Sequence, residues 1–191
     1  MEQFKAILAE FKKAGGKGII YGGALRDAFL GAPIKDIDIA VENTGANREA
    51  IEAFVSARRD FDPVETSGLL GTTVHSQELH YGHFPDVVQS LTVETVGQIP
   101  VNFVMLDMGQ PLTMRLVTER CDFGICQIAM SNGGFFVTEE WYTDYRNKTF
   151  TYLRDPFDEA QYQRSLRRWD RFKDKYPEWT MVCPEAGLLA A

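Results

Sequence analysis

The sequence predicts an α+β fold. Three observations predict it. Apolar residues recur at helical spacing near both ends, over 4–11 and 159–175. Two strand–turn–strand patterns, over 91–106 and 122–138, carry Gly97-Gln98 and Asn132-Gly133-Gly134 at their turns. Residues 36–41 alternate acid and aliphatic, the period of a strand with two unlike faces. Helical and strand patterns mix irregularly, without the regular alternation of a parallel α/β fold.

The elements follow in order. Phe4, Ile7, Leu8 and Phe11 fall at i, i+3, i+4 and i+7, one stripe of a first helix, which Gly15-Gly16 ends. Residues 18–21 read as a short buried strand. Gly22-Gly23 makes a turn, and 24–30 a second helix stopped by Gly31 and Pro33. Residues 36–41 form the next strand. Asn47 is placed as the cap of a third helix that carries Ile51, Phe54 and Val55 on one side. The stretch 68–89, rich in Gly, His, Thr and Ser, reads as strand and loop. Residues 91–96 and 99–106 make a hairpin. Residues 122–130 and 135–138 make another, since Asn-Gly suits the positive backbone angles of a tight turn. Residues 149–153 read as a last strand. Asp155-Pro156 precedes a closing helix from about 159 to 175. No repeat or linker interrupts the chain. It divides into a head, 1–155, and a closing helical segment, 156–191, packed on it.

Composition excludes several classes. With 45% hydrophobic and 25% charged residues the chain is globular, not disordered. A net charge of -7 argues against gripping nucleic acid by general electrostatics, although a local basic patch is compatible with it. Three cysteines, and a start at Met1-Glu2-Gln3 that runs straight into an amphipathic pattern, point to a reduced cytoplasmic setting. No apolar run is long enough to cross a bilayer.

Asp36 and Asp38 are the most informative pair. Residues two apart on a strand share a face. Two carboxylates side by side repel, and a divalent cation removes that repulsion. Mg²⁺ favours carboxylate oxygens, keeps several waters and joins them to substrate phosphates. A bare Asp-Ile-Asp has a simpler account, an edge strand whose acids meet water, and taken alone that account is the better one. Gly22-Gly23 lies between strand and helix, where backbone N–H groups can approach phosphates. Many such junctions carry glycine for geometry only. Arg26 reads as a phosphate partner, or as the ion-pair partner of Asp27.

Taken together, Tyr21-Gly22-Gly23-Ala24-Leu25-Arg26-Asp27, Leu30-Gly31 and Lys35-Asp36-Ile37-Asp38-Ile39-Ala40 resemble the head domain of the tRNA nucleotidyltransferase/poly(A) polymerase family, within the polymerase-beta-like superfamily. The strong part of the resemblance covers 18–41. It implies a mixed sheet with helices on one side. It implies that Asp36 and Asp38 bind Mg²⁺ or Mn²⁺, and that Gly22, Gly23 and Arg26 handle the triphosphate of an NTP. Glu119-Arg120-Cys121-Asp122-Phe123 resembles the family's Arg-Arg-Asp-Phe element, which implies nucleotide contacts from Arg120 and Asp122; Cys121 replaces an arginine, and Cys126 an expected asparagine. The segment from Arg164-Ser165-Leu166-Arg167 to Arg171-Phe172 resembles the neck helix that follows the head.

Two departures stand out. Where the family offers a third carboxylate, Val101-Asn102-Phe103-Val104 carries Asn102. An amide binds Mg²⁺ less well than a carboxylate, since it brings no charge; Asp107, Asp122 and Glu94 are candidate substitutes. The base-selecting region and RNA-binding tail that the family carries after the neck do not follow here, which points away from CCA addition.

On the closing helix Tyr162, Leu166, Trp169 and Phe172 fall on one side, and Arg164, Arg167, Arg168, Arg171 and Lys175 on the other. The basic side reads equally as a phosphate or RNA patch, with Arg167 and Arg168 the pair whose reversal would test it and Arg167 named as a nucleotide contact, and as a solvated face. His80-x-x-His83 reads as loop histidines rather than half a zinc site. Cys121 and Cys126 read as small apolar groups. Trp141, Tyr142, Tyr145, Phe150 and Tyr152 read as packing residues before base-stacking ones. Two functions follow: a metal-dependent nucleotidyltransferase moving a nucleoside monophosphate from an NTP to a hydroxyl, an RNA 3′ end among the acceptors, or a nucleotide-binding regulator on the same scaffold.

Overall fold

Phe4, Ile7, Leu8 and Phe11 all turn inward on helix α1 (Glu2–Lys13). The structure is a computed structural model that describes residues 1–60, 73–76, 86–95, 97–154 and 158–183. Strand β1 (Gly18–Tyr21) leads into α2 (Gly23–Phe29), and β2 (Ile37–Glu42) into α3 (Gly45–Asp60). Then come β3 (Thr73–Ser76), β4 (Val87–Glu94), β5 (Val101–Leu106), α4 (Met114–Thr118), a 3-10 turn (Gly124–Cys126), β6 (Ile128–Ser131) and β7 (Gly134–Val137). The rest is α5 (Glu139–Asn147), β8 (Thr149–Thr151), α6 (Glu159–Lys175) and β9 (Thr180–Val182). The class is α+β, as predicted. Among the described residues no helix is long and apolar enough to cross a membrane.

Among the described residues the main sheet has seven strands, in the order β3-β4-β5-β2-β1-β6-β7. It is mixed: β2 and β5 run parallel, and every other neighbouring pair is antiparallel. Alternation along the strands builds two apolar layers. Ile20, Ile37, Ile39, Val41, Phe103 and Met105 meet α1 and α3 on one face. There Phe11, Phe54 and Phe103 pack ring to ring, with centroids 4.9–6.1 Å apart. Ile19, Ala40, Val104, Leu106 and Ala129 meet Val117 of α4 on the other. Asp38 lies two residues before Ala40 and so belongs to this second face.

Several elements differ from expectation. Thr44, not Asn47, caps α3: its Oγ1 accepts from Asn47 N–H at 3.2 Å, while the Asn47 side chain ties Lys17 N–H to Glu42 C=O across the strand ends. The strand expected over 122–130 begins only at Ile128. Before it the backbone winds into the 3-10 turn, because the buried carboxylate of Asp144 accepts Ile125 N–H at 2.7 Å. Gly124 must be glycine there: a Cβ would stand 2.7 Å from Asp144 Oδ2 and 3.1 Å from Glu140 C=O. Helix α5 has a legible start, Thr138 as cap followed by Glu139 and Glu140. Strand β8 is not the last; it pairs in parallel with β9, on the far side of α6.

The stretch 68–89 is described only at Thr73–Ser76 and from residue 86; His80 and His83 lie outside the described residues. So do Val96 and the Asp155-Pro156 step, with the boundary expected there.

Candidate active site

Tyr21 ends β1, and Gly22 turns the chain at φ 74° and ψ −131° into α2. Side chains are strained in that region of backbone space, so the position calls for glycine. Gly22 N–H donates to Ile128 C=O at 2.9 Å, which pins the bend to β6. Gly23 follows with its N–H at the start of the helix, where no intrahelical acceptor exists.

Beside the bend, parallel pairing sets Asp38 directly opposite Asn102, and Asn102 opposite Thr92 on β4. Directly opposed residues share a face, so the three form one row across three strands. Asn102 Nδ2 donates to Asp38 Oδ1 at 3.1 Å. Asn102 Oδ1 is buried and has no hydrogen-bond partner among the described residues. Burial pushes the Asp38 carboxyl up to about 6, and the charge of Asp36 pushes the same way; Asn102, Arg168 and Lys35 oppose them. Asp36 precedes β2, so strand period no longer fixes its direction. It is partly exposed, 4.0 Å from the Lys35 ammonium, yet near enough to act on Asp38.

A cleft of about 190 Å³ opens here. Tyr21, Gly22, Gly23 and Asp38 line it from β1, the bend and β2. Arg120, Cys121, Asp122 and Cys126, before β6, line it too, as do Arg154 and, from α6, Gln161 and Arg168. Asp122 is buried, and its Oδ2 accepts from Ser165 at 2.6 Å and from Arg168 at 2.7 Å. Arg120 pairs with Asp86 and touches Met108 Sδ at 3.7 Å. The cleft of an acidic protein is thus lined by three arginines together with Asp38, on whose carboxyl the charge of Arg168 acts.

The cleft therefore gathers Gly22, Gly23, Asp38, Arg120 and Asp122 from the predicted residues; Asp36 does not line it and reaches it only through its charge acting on Asp38. It does not gather Arg26 or Arg167. The Arg26 guanidinium is buried; it donates to Asp27 Oδ1 from Nε at 2.8 Å and to Cys126 Sγ from Nη1 at 3.1 Å. It also lies 4.3 Å from the Phe172 ring centroid. Its partners are those of a bolt between α2 and α6, not the phosphates that the resemblance implies. Arg167 is exposed. Gln161, Ser165 and Arg168, at i, i+4 and i+7, hold the inner side of α6, so the inward reach expected of Arg167 belongs to Arg168. That spacing was open to sequence reading. Arg154 carried no such signal.

Among the described residues no group of three or more His, Cys, Asp or Glu gathers as a metal site. The set that could hold a hard cation is Asp36 and Asp38, two carboxylates whose repulsion adds to the upward shift of Asp38, and the amide opposite Asp38 has an oxygen unpartnered among the described residues. The substitute carboxylates are placed too. Asp122 is engaged with α6. Asp107 accepts from Gly109 N–H beyond the far end of β5. Glu94 is exposed on β4.

No protein-family model and no curated protein matches the chain. Solved structures do. The Thermotoga maritima CCA-adding enzyme complexed with tRNA superimposes with a TM-score of 0.63 at 19% identity, over 98% of this chain and 40% of that one. A tRNA-processing enzyme with CTP gives 0.61 at 21% identity, over 92% of this chain and 43% of that one. A tRNA nucleotidyltransferase complexed with a primer tRNA and an incoming ATP analog gives 0.59 at 21%, over 92% and 46%. The likeness shows a shared fold, and the chain spans less than half the length of those proteins.

Proposed function

We propose that the chain transfers a nucleoside monophosphate from an NTP to a hydroxyl, with an RNA 3′ end as the leading acceptor. The observation that carries this reading is one cleft lined together by Asp38, the Gly22-Gly23 bend and three arginines. The likeness to enzymes solved with tRNA, CTP and an ATP analog supports the nucleotide and the RNA acceptor.

In the reaction an acceptor oxygen attacks the α-phosphorus, its proton leaves to solvent or base, and the bond to pyrophosphate breaks. The arginines lining the cleft attract and orient the polyphosphate, Arg168 offering a fork of donors already fixed by Asp122. The first-turn N–H of Gly23 offers a further donor. Asp36 and Asp38 would hold Mg²⁺ or Mn²⁺. When bound, that ion supplies Lewis-acid stabilisation of the phosphoryl oxygens and a lowered proton affinity at the acceptor. A cleft this size lies below the usual range for an enclosed ligand, so it would grip part of the nucleotide and leave the rest toward solvent.

The test is incubation with Mg²⁺, each labelled NTP and total RNA. Pyrophosphate release that disappears in Asp38→Ala supports transfer. Asn102 favours a second reading, a nucleotide-binding regulator without turnover; tight NTP binding with no pyrophosphate from any acceptor would select it. Failure to bind any NTP would remove both.

A further inference from the structure

We propose that Asn102 restricts the site to one divalent cation per bound nucleotide, and that a carboxylate at this position would admit a second. The inference rests on the nucleotidyl-transfer reading above.

Asp38 has two oxygens with which to serve cations. One of them, Oδ1, already accepts a hydrogen bond from Asn102 Nδ2 at 3.1 Å. The group that stands against this oxygen is therefore a donor, and it brings no negative charge that could help to hold a second cation. The other end of the same amide, Oδ1, is buried and unpartnered among the described residues, and it brings no charge. Farther along the row stands Thr92, also uncharged.

The described carboxylates nearest the row are engaged or distant: Glu42, at the other end of β2, accepts from Leu112 N–H, and Asp107 from Gly109 N–H. Asp122 is neutralised by Arg168, and Asp86 is paired with Arg120. Glu94 stands two strands from β2, roughly 10 Å across at the usual strand spacing. Two ions about 4 Å apart share carboxylates because each must offset the other's charge. Asp36 and Asp38 together offset one. The triphosphate brings oxygen ligands of its own to that ion and needs no third carboxylate to recruit it. Converting Asn102 to aspartate removes the donor and adds opposite Asp38 the negative charge that a second cation would offset.

The experiment is Mn²⁺ titration followed by electron paramagnetic resonance, with a non-hydrolysable NTP analogue at saturation. Wild type, N102D and N102A are compared, and folding is checked by circular dichroism. The expected counts are one nucleotide-dependent Mn²⁺ per chain in wild type and in N102A, and two in N102D. In thermal melts N102D should melt below wild type without metal and recover with Mn²⁺. Two ions in wild type, or one in folded N102D, would overturn the inference and leave nucleotide binding intact. If N102D does not fold, the wild-type count alone decides. Wild type that binds the analogue in no form would instead overturn the functional reading, and this inference with it.

Discussion

Gly22 and Gly23 look equivalent in sequence, and the structure separates them. Gly22 sits at φ 74°, whereas a Cβ on Gly23 would meet only Arg26 Nη2, at an ordinary 3.7 Å. Gly22→Ala should therefore cost about 1–3 kcal/mol, and Gly23→Ala far less, both read from urea unfolding. Equal losses would show that backbone angle is not what selects glycine. For Asp38 the expectation is reversed: function falls while the fold holds. Asp38→Asn should lower pyrophosphate release on the order of 10²–10³-fold and leave the melting temperature unchanged or higher, because a partly buried carboxyl pushed up to about 6 by desolvation is relieved of its charge. Asp38 was legible, since strand period fixes its face. Arg26 was not. Its neighbours Cys126 and Phe172 lie far away in sequence, and only folding decides whether its guanidinium meets phosphate or sulfur and an aromatic ring.

At the scale of elements, one buried carboxylate fixes the segment before β6 that lines the cleft. Asp144 accepts from Ile125 N–H, Thr149 Oγ1, Thr151 N–H and Thr151 Oγ1, which ties α5, the 3-10 turn and β8 together. Asp144→Ala would strand these donors and should destabilise the fold by about 3 kcal/mol, measured by denaturant titration. Helix α6 is held similarly. Tyr176 donates to Asp27 Oδ1 at 2.5 Å, Lys175 reaches Asp27 and Pro33, and Phe172 and Trp169 pack on Phe150. The turn of α6 thus decides which arginine serves the cleft. Arg168→Ala should weaken NTP binding by about tenfold, near 1.4 kcal/mol, and Arg167→Ala by less than about twofold, since surface substitutions of this kind are near neutral; isothermal titration compares them. The reverse ranking would restore the expected role of Arg167. The sequence showed both faces of α6 without saying which part of the basic face turns inward, because that depends on Asp122 and Asp27 waiting on other elements.

On the scale of the whole molecule, the mixed sheet brings together residues from β1, β2, β5, the turn before β6, and α6. A ligand that binds across these pieces stabilises the fold as a unit. Mg²⁺–NTP at about 100 times its dissociation constant should add about 2.7 kcal/mol, a rise of roughly 5–10 °C in melting temperature for a chain of this size. EDTA, or Asp38→Asn, should abolish the rise; a rise that survives both would place the nucleotide elsewhere. By itself the sequence determined the class, most helices and strands, the glycine bend and the face of Asp38. Each of these follows from local period and backbone geometry over a few residues. The tertiary structure alone decided that Asn102 stands opposite Asp38 with one oxygen unpartnered among the described residues, that Asp144 winds 124–126 out of the expected strand, and that Arg26 is bolted to α6 while Arg168 reaches the cleft. These depend on which distant segments meet, and long-range pairing leaves no periodic trace in either partner alone.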